Sequence, residues 1–203
     1  MALSEVAICN VALARIGVSA PISSLDEASA EATNCKTLYA PARDTVLAAA
    51  PWPFATRRAL LAEVAAPSDP PYADTSTGWA HRYALPVDCL VAREVWSGQR
   101  NPLERVPFAV EFGGLGRVLL TDQADAQLIY TAKVVDPASF DPGFDDALAW
   151  HLAADLALPL KAEVKLGQNA RAMAEHTLLR ATARAFNEGQ RDRRPSAYLA
   201  ARR

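Results

Sequence analysis

The apolar positions at the start of the chain predict a short amphipathic helix. They recur at spacings of three and four residues, at Val6, Cys9, Leu13 and Ile16. Ser4 is available as an N-cap and Gly17 lies just beyond the end, where a helix favours glycine. We therefore expect one side of this first helix to be buried.

A second helix is predicted from Asp26 to Ala50. Its candidate buried stripe consists of Cys35, Leu38, Tyr39, Ala42, Val46 and Leu47. Pro41 lies within it and should kink or restart the helix, because proline lacks the backbone N–H that a helix interior requires. Pro51 and Pro53 then stop the helix.

The character of the sequence changes after Pro53, where β-branched and aromatic residues occur in short runs between turn residues. The candidate strands are Phe54–Ala62, Trp79–Ala84, Val91–Trp96, Pro107–Phe112, Arg117–Thr121 and Gln127–Val135. Gly113 and Gly114 predict a hairpin turn between two of them. The segment from Ala66 to Gly78, rich in Pro, Asp, Ser and Thr, predicts a mobile loop.

A helical period returns from Asp141, with Phe144, Leu148, Leu152 and Leu156 four residues apart, and is expected to end at Pro159. A last helix, Leu160–Glu188, carries a stripe of Leu166, Ala170, Ala174, Leu178, Ala181 and Ala185. The order predicts an α+β fold: a mainly helical bundle made by the N- and C-terminal helices, an inserted antiparallel β region and an extended C-terminal tail. We expect one domain, residues 1–190, and a C-terminal arm, residues 191–203.

Charge is unevenly distributed along the 203 residues. The net charge of −2 argues against a protein whose whole surface binds nucleic acid, since phosphate binding leaves a basic footprint. From Arg180 onward, however, seven arginines stand against Glu188 and Asp192. A basic tail on an acidic body is compatible with a solvated, disordered end and also with a binding arm.

Neither secretion nor membrane insertion is expected from the sequence. Cys9, Cys35 and Cys89 are far apart in sequence and form no C-x-x-C pair, which predicts buried, inert thiols and a reduced cytosolic origin. The first residues lack the basic region of a signal peptide, and no uninterrupted apolar run approaches the length of a membrane span.

Catalytic motifs are absent from the sequence: it contains no H-E-x-x-H, G-x-S-x-G or P-loop. His151 lies at the edge of an apolar face, where a packed histidine is expected rather than a ligand or base. The acids at the start of the same helix, Asp141, Asp145 and Asp146, favour interaction with the helix dipole over a metal site. Asp155 is expected to pair with an arginine of another helix or subunit. The sequence predicts no enzyme, cofactor or metal.

Trp52 and Phe54 lie in the unusual run PWPF. Two prolines fix the backbone there, so the aromatic rings are expected to pack on a rigid corner. The run predicts a plug of the core, and the alternative is an anchor for a neighbouring subunit.

Four segments, in this order, resemble the family of phage tail tubular protein A and the related head-completion adaptors of short-tailed phages. They are ICNVALARIG (8–17), ISSLDEASAEATNCKTLY (22–39), RDTVLAAAPWPFATRRALLA (43–62) and WAHRYALPVDCLVAREVW (79–96). The second half of the chain is similar only in plan, with strands, two helices and the tail SAYLAARR (196–203). The resemblance implies a non-catalytic protein whose copies, about twelve, form a ring between portal and tail that continues the DNA channel.

In that family a C-terminal arm reaches the portal protein, and the β region faces the tail nozzle or neighbouring subunits. The resemblance thus implies interaction residues in the arm, with the PWPF aromatics as further candidates: Arg191, Arg193, Arg194, Tyr198, Leu199, Arg202, Arg203, Trp52 and Phe54. Double-stranded DNA would pass without sequence-specific binding, no membrane would be involved, and the protein would reside in the virion neck after assembly in the host cytoplasm. The alternatives are a DNA-binding module that uses the tail, and an enzyme with a pocket joining His151 or His176 to acids of shifted pKa.

Overall fold

The computed structural model describes residues 3–65, 78–98, 105–112 and 116–187. Within these ranges the predicted α+β fold is confirmed. The helices are α1 (Glu5–Arg15), α2 (Ala30–Ala49), α3 (Pro142–Lys161) and α4 (Val164–Asn187), and the strands are β1 (Thr56–Leu60), β2 (His81–Ala84), β3 (Cys89–Val95), β4 (Phe108–Phe112), β5 (Arg117–Thr121) and β6 (Gln127–Ala132). The C-terminal arm and nearly all of the predicted loop at 66–78 lie outside the described residues.

The first helix begins and ends as predicted. The hydroxyl of Ser4 accepts a hydrogen bond from the Ala7 amide, and Gly17 follows the helix with a φ of +73°. The prediction for α2 was wrong at its start by four residues. Glu27 accepts hydrogen bonds from the Ser23 amide and the Ser29 hydroxyl, which stabilise a turn, and Ser29 then caps the helix. Pro41 does not restart α2, which continues through it to Ala49.

The boundary between the last two helices also differs from the prediction. Pro159 does not end α3, which continues to Lys161. Proline removes only the one hydrogen bond that residue 159 would donate to the carbonyl of Asp155, and the chain turns soon afterwards at Ala162, which adopts a left-handed conformation with φ of 54°. The fourth helix therefore starts at Val164 rather than Leu160.

Helix α3 is the centre of the helical layer, in contact with α1, α2 and α4. Its predicted face is fully buried, with Phe144, Leu148, Leu152 and Leu156 each at 0% exposure. Small residues allow α4 to approach closely: a Cβ at Gly143 would meet the Cβ of Ala181 at 3.1 Å. The predicted stripe of α4, from Leu166 to Ala185, is buried or half-buried against α3. The N- and C-terminal helices thus share one core.

The strands form two antiparallel three-stranded sheets within the described residues, in the orders β1-β6-β3 and β2-β5-β4. Phe112 pairs with Arg117 where β4 meets β5, as the hairpin prediction requires, although residues 113–115 lie outside the described residues. A second apolar cluster, which includes Tyr83, Leu119 and Leu128, lies between the sheets.

Two polar contacts connect the sheets to the helices, one made by the half-buried Arg93 and one by Asp44. Arg93 of β3 donates to the carbonyl oxygen of Ala48 at 2.7 Å and to the hydroxyl of Thr131 at 2.9 Å. Arg43 of α2, 4% exposed, pairs with Asp44, which also binds Lys133 after β6. The carboxylate of Asp44 thus lies between a cation of α2 and a cation that follows β6. The ion pair with Lys133 holds the β region to the C-terminal half of α2.

Candidate interaction surface

The aromatic residues of the PWPF run belong to the core of the helical layer. Trp52 is 0% exposed, its indole Nε1 donates to the carbonyl oxygen of Val46 at 2.9 Å, and its ring packs edge-on against Phe144. Phe54 is half-buried and contacts Trp52, Phe140 and Phe144. The plug interpretation is therefore confirmed for Trp52. The alternative, an anchor for a neighbouring subunit, was wrong for Trp52, because a fully buried ring offers no surface to a neighbour. The ring of Phe54 is partly exposed.

The candidate residues of the arm, Arg191 to Arg203, lie outside the described residues. Helix α4 carries a second stripe, on the side opposite its buried one. We call this the outer stripe; it comprises Ala172, His176, Leu179, Ala183 and Phe186, at spacings of four and three residues. All five are exposed, Leu179 at 70% and Phe186 at 53%. Four of these five residues are apolar, so α4 has a second, mainly apolar side that lies exposed.

Two arginines flank the outer stripe. Arg180 and Arg184 are exposed, and neither has a hydrogen bond or ion pair with another described residue. They line a cleft of about 170 Å³ against the start of α3, beside Gly143 and Asp146. The carboxylate of Asp146 is already bound by Arg15, whose guanidinium also lies 4.3 Å above the ring of Trp150. The cleft therefore keeps an excess of positive charge.

A shallow groove lies at the start of α1. We call it the acidic groove; its volume is about 520 Å³ and its lining residues are Leu3, Ser4, Glu5, Val6, Asp136, Pro137 and Ala138. Most of the lining is apolar, and the carboxylates of Glu5 and Asp136 supply its charge. Asp136 caps the short 3₁₀ helix Pro137–Ser139 through the amide of Ala138, whereas Glu5 has no side-chain partner among the described residues.

The histidine predicted to be packed, His151, lies at a pocket of about 160 Å³ between α2, α3 and α4. Burial lowers its pKa, against the opposing effect of Asp155, whose carboxylate lies 3.8 Å from Nε2. As predicted, Asp155 also pairs with an arginine of another helix, Arg171, at 2.7 Å. The pocket is lined by Glu175 but by no serine, threonine or cysteine among the described residues. The pocket thus places an imidazole beside the ion pair of Asp155 and Arg171, and none of its described lining residues offers a hydroxyl or thiol for that imidazole to activate.

Two features of the core escaped the sequence analysis. Asp145 lies in the first turn of α3, as its predicted interaction with the helix dipole requires, but it is also only 7% exposed, and burial raises its pKa to about 6. Its Oδ1 and the hydroxyl of Tyr39 are buried without a hydrogen-bond partner among the described residues. The second feature is a pair of thiols, Cys9 and Cys35, which lie in the same core. The hydrogen bond between them, together with burial, raises the pKa of Cys9. The cysteines are buried, as predicted.

No group of three or more potential metal-ligating side chains occurs in the described part of the chain. None of the helices described is both long enough and apolar enough to cross a membrane. A comparison with models of protein families finds no match, and neither does a comparison with curated proteins.

Proposed function

We propose that this protein is a structural head-to-tail adaptor of a bacteriophage virion. Its copies form a ring between the portal and the tail, and the ring continues the channel through which DNA leaves. It has no catalytic role and needs no cofactor. It resides in the neck of the virion after assembly in the host cytoplasm.

The observation that carries this proposal is the outer stripe of α4. Exposed apolar stripes on a helix are typical of surfaces that other chains cover, because each large apolar side chain removed from water contributes about 1.5–3 kcal/mol. The stripe lies on the last described helix, directly before the basic arm of residues 191–203. A covered helix next to a charged arm suits a subunit that contacts its own copies and a second protein.

The four segments that resemble the adaptor family are the reason why we propose this kind of assembly. Three of them form parts of the structure that hold the helical layer together: α1, α2 and the PWPF corner. The body that results is closed by α3 and leaves α4 at its surface. Partners of the ring are therefore other copies, the portal protein, and the tail nozzle or another tail protein, with DNA passing through.

The experiment that tests the proposal measures the mass and shape of the purified chain, alone and mixed with the portal protein of the same virus. Light scattering gives the mass and negative-stain microscopy the shape. We expect a ring of about twelve copies, alone or on the portal. A chain that stays monomeric under both conditions contradicts the proposal.

The same preparation separates the alternative of a DNA-binding module. Arg180 and Arg184, exposed and unpaired with other described residues, are the observation that favours it. DNA affinity that falls steeply with salt, and that is lost with residues 191–203, would support that function. The adaptor proposal expects weak DNA binding without sequence preference.

A further inference from the structure

Two surfaces of the described chain are complementary in charge and both are partly apolar. One is the outer stripe of α4 with Arg180 and Arg184 on its flank, and the other is the acidic groove with Glu5 and Asp136. Neither arginine, nor Glu5, has a side-chain partner among the described residues. Each surface therefore carries charge that a partner of opposite sign would neutralise.

The apolar parts of the two surfaces also fit each other in kind. Leu179 and Phe186 project from α4 and are 70% and 53% exposed. The groove offers Leu3, Val6, Pro137 and Ala138 as an apolar lining, and the neighbouring Val135 is 53% exposed. A protruding apolar helix face and an apolar groove with a charged rim are the two halves of a helix-in-groove contact.

We propose that the outer stripe of α4 of one copy docks in the acidic groove of the next copy. Leu179 and Phe186 contact the apolar lining, while Arg180 and Arg184 face Glu5 and Asp136. The inference rests on the proposed function, and it names the two surfaces that join neighbours in the ring.

A second copy fits these surfaces better than the other occupants. Nucleic acid would be repelled by the carboxylates of the groove and would leave the apolar stripe uncovered. A symmetric contact between two α4 helices would place Arg180 and Arg184 of both copies close together. The pairing of two different surfaces avoids this repulsion, and a contact of this kind is heterologous, so that it closes into a ring when the rotation between neighbours allows it.

The test uses two full-length variants with opposite charge reversals. The first carries Arg180→Glu and Arg184→Glu, and the second carries Glu5→Lys and Asp136→Lys. Within either variant, like charges meet at every interface, so we expect the dissociation constant for self-association to rise about tenfold to a hundredfold. In an equimolar mixture every contact between unlike copies is complementary again, and association should return. Sedimentation velocity over a wide concentration range, with and without the portal protein, measures this.

The matched control reverses two exposed arginines of the β region, Arg58→Glu and Arg105→Glu, which lie outside both proposed surfaces and change the net charge by the same amount as the first variant. Thermal unfolding of all variants checks that each is folded, since Asp136 caps a short helix and Glu5 lies in the first turn of α1.

The outcomes separate this inference from the proposed function. Assembly that is lost in each variant, kept in the control and restored in the mixture supports the inference. Rings that form regardless of the reversals, or that the mixture does not restore, overturn it and leave the adaptor function standing. A wild-type chain that remains monomeric with and without the portal overturns both.

Discussion

Among single residues, Asp145 combines burial with an oxygen that has no hydrogen-bond partner among the described residues. Its pKa of about 6 lies above that of an unfolded aspartate, roughly 3.9, so the folded state binds the extra proton between these two values. The free energy of unfolding therefore falls as the pH rises from about 4 to about 6, and stays lower above that range. Burial is the first cause of the shift, and the charge of Asp141 adds to it.

We expect Asp145→Asn to raise the free energy of unfolding at pH 8 by about 1–2 kcal/mol, because the amide removes the cost of a buried charge. At pH 4, where the carboxyl group is already protonated in the folded state, the change should be small. Urea unfolding at both pH values measures this. Asp146→Asn is the matched control: that carboxylate is exposed and bound by Arg15, so its loss should give no gain at either pH. An equal effect of Asp145→Asn at both pH values would contradict the prediction.

Part of this residue-level picture could be read from the sequence and part could not. Asp145 directly follows Phe144 and precedes Leu148 by three residues, which places it next to the apolar face of α3. This position indicates burial, whereas the general preference for acids at helix starts indicates an exposed acid, and the sequence alone does not decide between them. The approach of Cys9 to Cys35, in contrast, depends on how α1 packs beside α2, which no local pattern specifies.

Among the elements, helix α3 is followed by a strained C-cap residue, Ala162. Its φ of 54° and ψ of 24° lie in the left-handed region, which costs an L-residue about 1–2 kcal/mol relative to glycine. The side chain is exposed, so nothing else depends on it. We expect Ala162→Gly to raise the free energy of unfolding by about 0.5–1 kcal/mol, after the larger entropy of glycine in the unfolded chain is deducted. Chemical denaturation checks this, with Ala40→Gly as a control that should destabilise an exposed helix position.

The close approach of α4 to α3 depends on small side chains. Ala170 is 3% exposed and faces α3, whereas Ala172, two residues later, is exposed. We expect Ala170→Leu to lower the free energy of unfolding by about 1–3 kcal/mol, because the added carbons must push the helices apart. Ala172→Leu should stay within about 0.5 kcal/mol of the wild type. Equal effects of the two variants in thermal and urea unfolding would contradict the packing described above.

Element type was predictable from the sequence, while pairing between elements was not. The helical periods and the six strand runs depend on neighbours along the chain, and each of the predicted elements is found within a few residues of its expected bounds. The order β1-β6-β3 places the last strand between the first and the third, which depends on contacts between distant residues. The outer stripe does not stand out in the sequence for a different reason: it repeats at the same three- and four-residue spacing as the buried stripe of α4.

At the scale of the whole molecule, the N-terminal and C-terminal helices belong to the same helical layer. The first and last helices pack on α3, and the sheets inserted between them are attached through Arg93 and through Asp44 with its two cations. The acidic groove and the outer stripe are thus both surfaces of the helical layer. A contact between copies through these surfaces would leave the sheets free for a tail protein, as the resemblance implies.

The arm of residues 191–203 gives the last prediction. It lies outside the described residues, and its arginines, with Tyr198 and Leu199, are of the types that anchor interfaces. We expect deletion of the arm to abolish binding to the portal protein, measured by co-sedimentation. Thermal unfolding should stay unchanged, because the described core is built from residues that precede the arm. A variant with the same thirteen residues in scrambled order is the matched control. If the scrambled arm binds the portal as well as the natural one, the contact depends on charge alone, and binding should weaken as the salt concentration rises. If the chain without the arm still binds, the arm is not the portal anchor.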